Sequence, residues 1–334
     1  MPVCTVVCHG GQGSWRASST RGTSTEMDAL VFQRHPVLRA PDLVAAFAGW
    51  PDAGSAATQA VTYLRDHLPA ERIGEIRSDS FFDFTTARPI TVIREGVIQR
   101  LRFPAFELHA WRNPDPQAAH DLLLLLGTEP NLQWHRFIEA VLALIRQLGV
   151  HRVITLGGLN DRVPHSRPAR VSAVVTRADM KPRLRSAGAV FSEYEGPSSI
   201  HTSLLMACLR HDVPACSLWG HVPSYAQVPW NPKVSYGLLV CLNALLELPV
   251  DLEPLRLRAQ QLDELLNRLV QQNPELAGAI RQLEDEFDAG AEGEPPQEAE
   301  SLPPLSENVI RQIEELLRRE GDERGDSGRA PEQR

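Results

Sequence analysis

Two histidines and two carboxylates stand where acid–base chemistry could be done: His165, His221, Asp52 and Glu129, each set in a run of Gly, Pro and polar or aromatic residues. General acid–base catalysis needs such a group held within hydrogen-bond reach of a reacting atom. Around them fall Trp50, Gly54, Asn131, Trp134, Arg167, Glu195 and Lys233. These positions together make a candidate binding rim, for a small molecule or for a protein partner. Each also has an ordinary structural use. Asp52 directly precedes a helical stretch and Glu129 stands before Pro130-Asn131, so both suit helix capping. Lys233 opens a helix after Asn231-Pro232 and suits an ion pair. No residue is assigned a catalytic role.

The motifs of well-known chemistries are missing. There is no G-x-x-x-x-G-K-[ST] loop and no G-x-G-x-x-G after a strand, which excludes the common nucleotide cradles. No G-x-S-x-G elbow occurs, which argues against an α/β-hydrolase. Five cysteines, Cys4, Cys8, Cys208, Cys216 and Cys241, are too few for a disulfide framework and lack zinc-site spacing. No metal or cofactor is expected, and a reducing cytoplasm fits. The net charge of −8 is matched by eight acidic residues between 284 and 300, so the rest of the chain is close to neutral. No basic face is advertised, which argues against nucleic acid. No apolar run reaches 18 residues, so no membrane span is expected.

Strand-sized apolar runs alternate with helix-period segments to position the rim. Runs at 43–49, 121–127, 152–157, 171–176 and 215–219 read as strands, the first two continuous enough to be buried on both faces. Helices are predicted over 55–68, capped by Ser55, and over 132–148, 198–210 and 232–248. The segment 90–103 reads as a hairpin turning at Arg94-Glu95-Gly96 and added antiparallel at one sheet edge. The fold class is therefore α/β, with a mostly parallel central sheet flanked by helices. In such a sheet ligands bind beyond the carboxyl ends of the strands, where the rim residues stand.

Residues 1–26 read as a disordered segment, with Met27 the expected natural start, and 27–249 as the α/β domain. From 250 to 288 Leu252, Leu255, Ala259, Leu262, Leu266 and Leu269 recur at heptad spacing. Leu276, Ile280, Leu283 and Phe287 continue the register across Asn273-Pro274. Such a stripe must be buried, either on its own domain or as a coiled coil on another subunit. An acidic linker at 289–305, a short amphipathic helix at 306–320 and a disordered tail at 321–334 follow.

Six segments, AFAGWPDAG (46–54), DFTTARP (83–89), LLGTEPNLQW (125–134), VITLGGLNDRVPHSRP (153–168), YEGPSSI (194–200) and SLWGHVPSYAQVPWNPK (217–233), carry a resemblance. In this order and spacing they resemble the proteasome assembly chaperone family, in its actinobacterial branch, over roughly residues 28–270. The resemblance implies a phosphorylase/hydrolase-like α/β body, a helical C-terminal extension and a homo-oligomer, with a trimer as its form. It implies no established catalytic residues. Relatives that dock on proteasome rings use a hydrophobic–tyrosine–any tail, whereas this chain ends Pro-Glu-Gln-Arg.

The first expectation is a non-catalytic protein-binding or assembly role with an unidentified protein partner. The alternative is a binder of, or enzyme on, a nucleoside- or nucleotide-like molecule at the strand-end loops. A scaffold in cell-envelope or division machinery, working through the acidic linker and final helix, is the third.

Overall fold

Ten strands and seven α-helices alternate along the described chain. A computed structural model describes residues 29–77, 80–191, 193–226 and 228–289. The elements are β1 (Leu30–Phe32), β2 (Asp42–Ala48), α1 (Ala56–His67), β3 (Glu71–Ile76), β4 (Ile90–Arg94), β5 (Val97–Arg102) and β6 (Phe106–Trp111). There follow β7 (Leu122–Thr128), α2 (Trp134–Leu148), β8 (Arg152–Asp161), β9 (Val171–Val175), α3 (Lys181–Ser186) and α4 (Ile200–Arg210). Last come β10 (Ala215–Pro223), α5 (Pro232–Leu246), α6 (Glu253–Gln271) and α7 (Pro274–Asp288).

Eight strands form one sheet in the order β1-β3-β6-β7-β2-β8-β10-β9. Its four central strands, β7, β2, β8 and β10, are parallel, and the flanking pairs are antiparallel. The apolar strings of β2 and β7 are continuous because they serve two cores at once. Val44, Ala46, Leu122 and Leu124 face α1 and α5 on one side. Leu43, Ala45, Phe47, Leu123 and Leu125 face α2 and α4 on the other. Strands buried on both faces lose the polar alternation of a half-exposed strand.

The strands β1, β3 and β6 were not foreseen, since β3 and β6 interleave charged or imidazole residues (Glu75, Glu107, His109) with the buried Ile73, Ile76, Phe106 and Leu108. At Gly74 a Cβ would fall 2.3 Å from the Val31 carbonyl, so only glycine lets β1 pack this closely. The hairpin β4–β5 does not join the edge as expected. It forms a separate two-stranded ribbon. Because β3 ends and β6 begins at the carboxyl ends of the parallel strands, this ribbon springs from the same edge as the rim loops.

The heptad register is likewise broken. Asn273 accepts the Leu276 N–H, Pro274 opens α7, and α7 folds back on α6. Leu262, Leu266, Leu269, Leu276, Ile280 and Leu283 are buried together with Tyr225 and Val228 of their own chain. The stripe is thus satisfied within one chain, and not as a continuous coiled-coil helix. The predicted segments at 1–26, 306–320 and 321–334, and all but the first residue of the acidic linker, lie outside the described residues.

Candidate functional site

Parallel neighbours present their carboxyl ends side by side, so the segments after β7, β2, β8 and β10 share one edge. Backbone bonds lace these loops together: Glu129 N–H to Ala48 O, Gly158 N–H to Pro51 O and Asn231 N–H to Gly54 O, each 2.8 Å. Trp50, Asp52, Gly54, Glu129, Asn131, Trp134, His165, Arg167, His221 and Lys233 all belong to this edge. Glu195 is exposed in the stretch that leads to α4. The edge does not gather them into one pocket, because the sheet divides it.

On the α4 side, Glu129 Oε1 accepts the Ile200 N–H at 2.8 Å and so caps α4, not the nearer α2. Burial pushes its carboxyl up, and the Ile200 amide partly offsets this. Trp134 donates its indole N–H to Pro130 O at 2.6 Å. The exposed Asn131 bonds Phe81 O through its backbone. Between the two sides, Asp52 is buried and accepts the Ala57 and Thr58 N–H groups at 2.8 and 3.3 Å, and the Thr58 hydroxyl as well. It therefore caps α1 in place of Ser55, whose side chain makes no cap bond. Burial raises the Asp52 carboxyl against the pull of those donors.

On the other side the helical extension closes over the loop 162–170. His165 is buried, and the Tyr225 hydroxyl lies 2.6 Å from both its N–H and its Nδ1. Asn267 Oδ1 stands 3.2 Å from Nε2. The hydroxyl accepts from the backbone and donates to Nδ1, which leaves the Nε2 proton for Asn267. Burial is the main cause that brings His165 down to about 4, so the ring is neutral. Lys233 Nζ donates to His165 O and to Asp263 Oδ2, the latter at 2.7 Å. Arg167 forks onto Asp288 at 2.9 and 2.6 Å and reaches Glu284. The crevice between His165, Lys233 and Leu266 leaves room for about one water molecule.

His221 has the donor order of an acyl-transfer relay. Its Nδ1 lies 2.7 Å from Asp161 Oδ2 and its Nε2 2.9 Å from Ser172 Oγ. Burial pushes Asp161 up, but the His221 hydrogen bond and charge, with the Arg162 amide, outweigh it and hold the carboxyl low. Ser172, however, sits mid-strand in β9, paired with Trp219 of β10 on one side and bridged to Val190 on the other. A serine with its backbone engaged on both sides has no free pair of N–H groups beside it to hold an oxyanion. The trio pins β8, β9 and β10 together.

At the opposite edge Arg152 holds Asp42 by two bonds of 2.8 and 2.9 Å, beside the stacked rings of His120 and His151 (4.2 Å, 14°). An ion shared by stacked rings would lie out of both planes, where imidazole nitrogen has no lone pair. The cluster is an ion pair beside a stack.

The rim also leaves a set of apolar side chains free. Trp50, Leu132 and Tyr194 are exposed, and so are Ile90, Ile93, Val97, Ile98, Leu101 and Phe103 of the projecting hairpin and its exit, each 51–69% exposed. A profile of the PAC2 family matches residues 46–270 of this chain. The chain belongs to the PAC2 family. A PAC2 family protein from Streptomyces avermitilis shares 34% identity and a TM-score of 0.64, over 72% of this chain and 99% of that one. A proteasome-assembly chaperone homologue from Mycobacterium tuberculosis gives 34% and 0.65 over the same shares. An archaeal proteasome activator from Pyrococcus furiosus has 22% identity and a TM-score of 0.58, over 72% and 97%, a likeness of fold. No curated protein matches by sequence. Among the described residues of this PAC2 chain, no helix is long and apolar enough to cross a membrane.

Sequence reasoning missed Tyr225, Asp263 and Asn267, which hold His165 and Lys233 in place, and Asp161 and Ser172, which hold His221. Asp263 and Asn267 lie on α6, 30 residues from Lys233 and 102 from His165, and no local pattern marks such pairings.

Proposed function

We propose that this PAC2 protein is a non-catalytic assembly factor of the cytoplasm, which self-associates and holds protein partners on the carboxyl edge of its sheet. The observation that carries this reading is the contrast along that edge. Asp52, Glu129, His165, Arg167, His221 and Lys233 are engaged as helix caps and braces, while Trp50, Leu132, Tyr194 and the aliphatic residues of the hairpin stand exposed. Large exposed apolar patches are characteristic of protein docking sites. Partners of this class bury aromatic and aliphatic anchors, and Trp50 and Ile98 are the anchors this edge offers. The likeness to a proteasome-assembly chaperone homologue supports proteasome subunits as the partner to test, and a trimer is the self-associated form proposed.

Light scattering on the full chain tests the first half, with a trimer expected at micromolar concentration and a monomer overturning it. Free proteasome α-subunits from the same cell test the second. Co-elution with the wild type and its loss in a Trp50→Ala, Ile98→Asp variant is the expected result. Equal co-elution of both forms, or none with the wild type, would sink the proteasome reading.

A further inference from the structure

The hairpin β4–β5 is both apolar and basic. Between Arg88 and Arg102 it carries four arginines, Arg88, Arg94, Arg100 and Arg102, against the single Glu95. All four are exposed, and none of their guanidinium groups has an ion pair or hydrogen bond among the described residues. The register sets Ile90, Val92 and Val97 with Arg94, Arg100 and Arg102 on one face, and Thr91, Ile93, Ile98 and Leu101 on the other. A two-stranded ribbon with no third strand is at best marginally stable in water. One that also exposes this much apolar surface needs a cover.

The chain itself carries a segment of complementary chemistry. From residue 290 to 310 it has five carboxylates, Glu292, Glu294, Glu298, Glu300 and Glu307, and no basic residue, followed or interleaved by Leu302, Leu305, Val309 and Ile310. We infer that residues 290–310 of the same chain dock on the hairpin, the glutamates pairing with its arginines and the aliphatic residues covering its isoleucines. Reach allows it. The last helix, α7, is held on the β8–β9 connection by Arg162 and Arg167, at the carboxyl edge from which the hairpin also springs. From β10 to β6 is four strand spacings, about 20 Å. Residues 290–301 alone span up to about 40 Å when extended. The docked segment would compete with any protein partner for this arm, which makes it a built-in brake. The inference concerns the arm's occupant in the isolated chain and stands whether or not proteasome subunits are the partner.

Hydrogen exchange of the peptides covering 88–103, read by mass spectrometry on the full chain, tests it. Three variants are compared with the wild type: Glu292→Lys, Glu294→Lys, Glu298→Lys and Glu300→Lys together in the tail; Arg94→Glu, Arg100→Glu and Arg102→Glu together in the arm; and both sets combined. The expected result is exchange at least tenfold faster in each single set than in the wild type, recovery in the combined chain, and wild-type protection unchanged by dilution. Loss of wild-type protection in high salt is expected as well. Equal exchange in wild type and tail variant overturns the inference. Protection that tracks protein concentration and ignores the tail charges also overturns it, since a second copy is then the cover.

Discussion

His201 is the residue the fold tolerates least comfortably. It is fully buried between Phe47 and Trp219, and neither ring nitrogen has a hydrogen-bond partner among the described residues. Burial alone takes it down to about 3, and His165 lies at about 4. Both values sit below the ordinary 6.5 of an unfolded histidine, so the unfolded chain binds these protons first. The associated stability is therefore complete above about pH 6.5 and declines as pH falls towards 4 and then 3, by up to about 1.4 kcal/mol per pH unit for each ring. Urea denaturation at a series of pH values should show this acid slope. His201→Phe keeps the packing, removes two unpartnered polar atoms, and should raise stability at pH 7 by about 1–2 kcal/mol while reducing the slope. A loss of stability at pH 7 in that variant would mean the ring has a polar role. Asp52 makes the contrasting case, because its two oxygens hold the first turn of α1. Asp52→Ala should cost about 1–2 kcal/mol, measured the same way. Its capping role was legible from its place before a helix. That of Glu129 was legible only in kind, because its helix is 71 residues away in sequence.

At the scale of elements, α6 and α7 brace the edge. Lys233 and Asp263 are a half-buried pair joining the first turn of α5 to α6, and burial, opposed by Lys233, pushes the Asp263 carboxyl up. Removing one partner strands the other charge. Lys233→Met should therefore cost about 3–5 kcal/mol in denaturant melts, whereas Lys233→Met with Asp263→Leu should recover most of it. A double variant as weak as the single one would show that the lysine acts through its bond to His165 O instead. The heptad pattern disclosed that this stripe is buried but not against what, since spacing alone does not distinguish a self-packed helix from one in another subunit. Proline was the missed signal. Asn273 and Pro274 are a cap and a first helical residue, and they end one helix and begin another. The central strands were readable because burial on both faces leaves an uninterrupted apolar string. The flanking strands β3 and β6, with one side mixed, were not.

Across the whole molecule, the body and the arm behave as separate parts. The eight-stranded sheet and its helices close two cores, and the hairpin contributes no strand to that sheet. Its sequence announced two strands and a turn at Glu95-Gly96. The failed alternation, with apolar residues on both faces, was the sign that it would stand free instead of lining an edge. The sharing of one edge by all the strand-end loops was legible from the order of strands and helices. Its division into two braced halves was not, because the braces come from α4 and α6. If the arm serves recognition and the body serves stability, the two should separate on removal. Replacing residues 90–102 by a short Gly-Ser turn between Pro89 and Phe103 should leave the unfolding free energy within about 1 kcal/mol of wild type, since surface segments outside the core contribute little. The same change should abolish capture of protein partners and leave the mass seen by light scattering unchanged. A shortened chain that unfolds several kcal/mol earlier would make the ribbon a part of the core. One that still captures partners would move the docking surface to Trp50, Leu132 and Tyr194 alone.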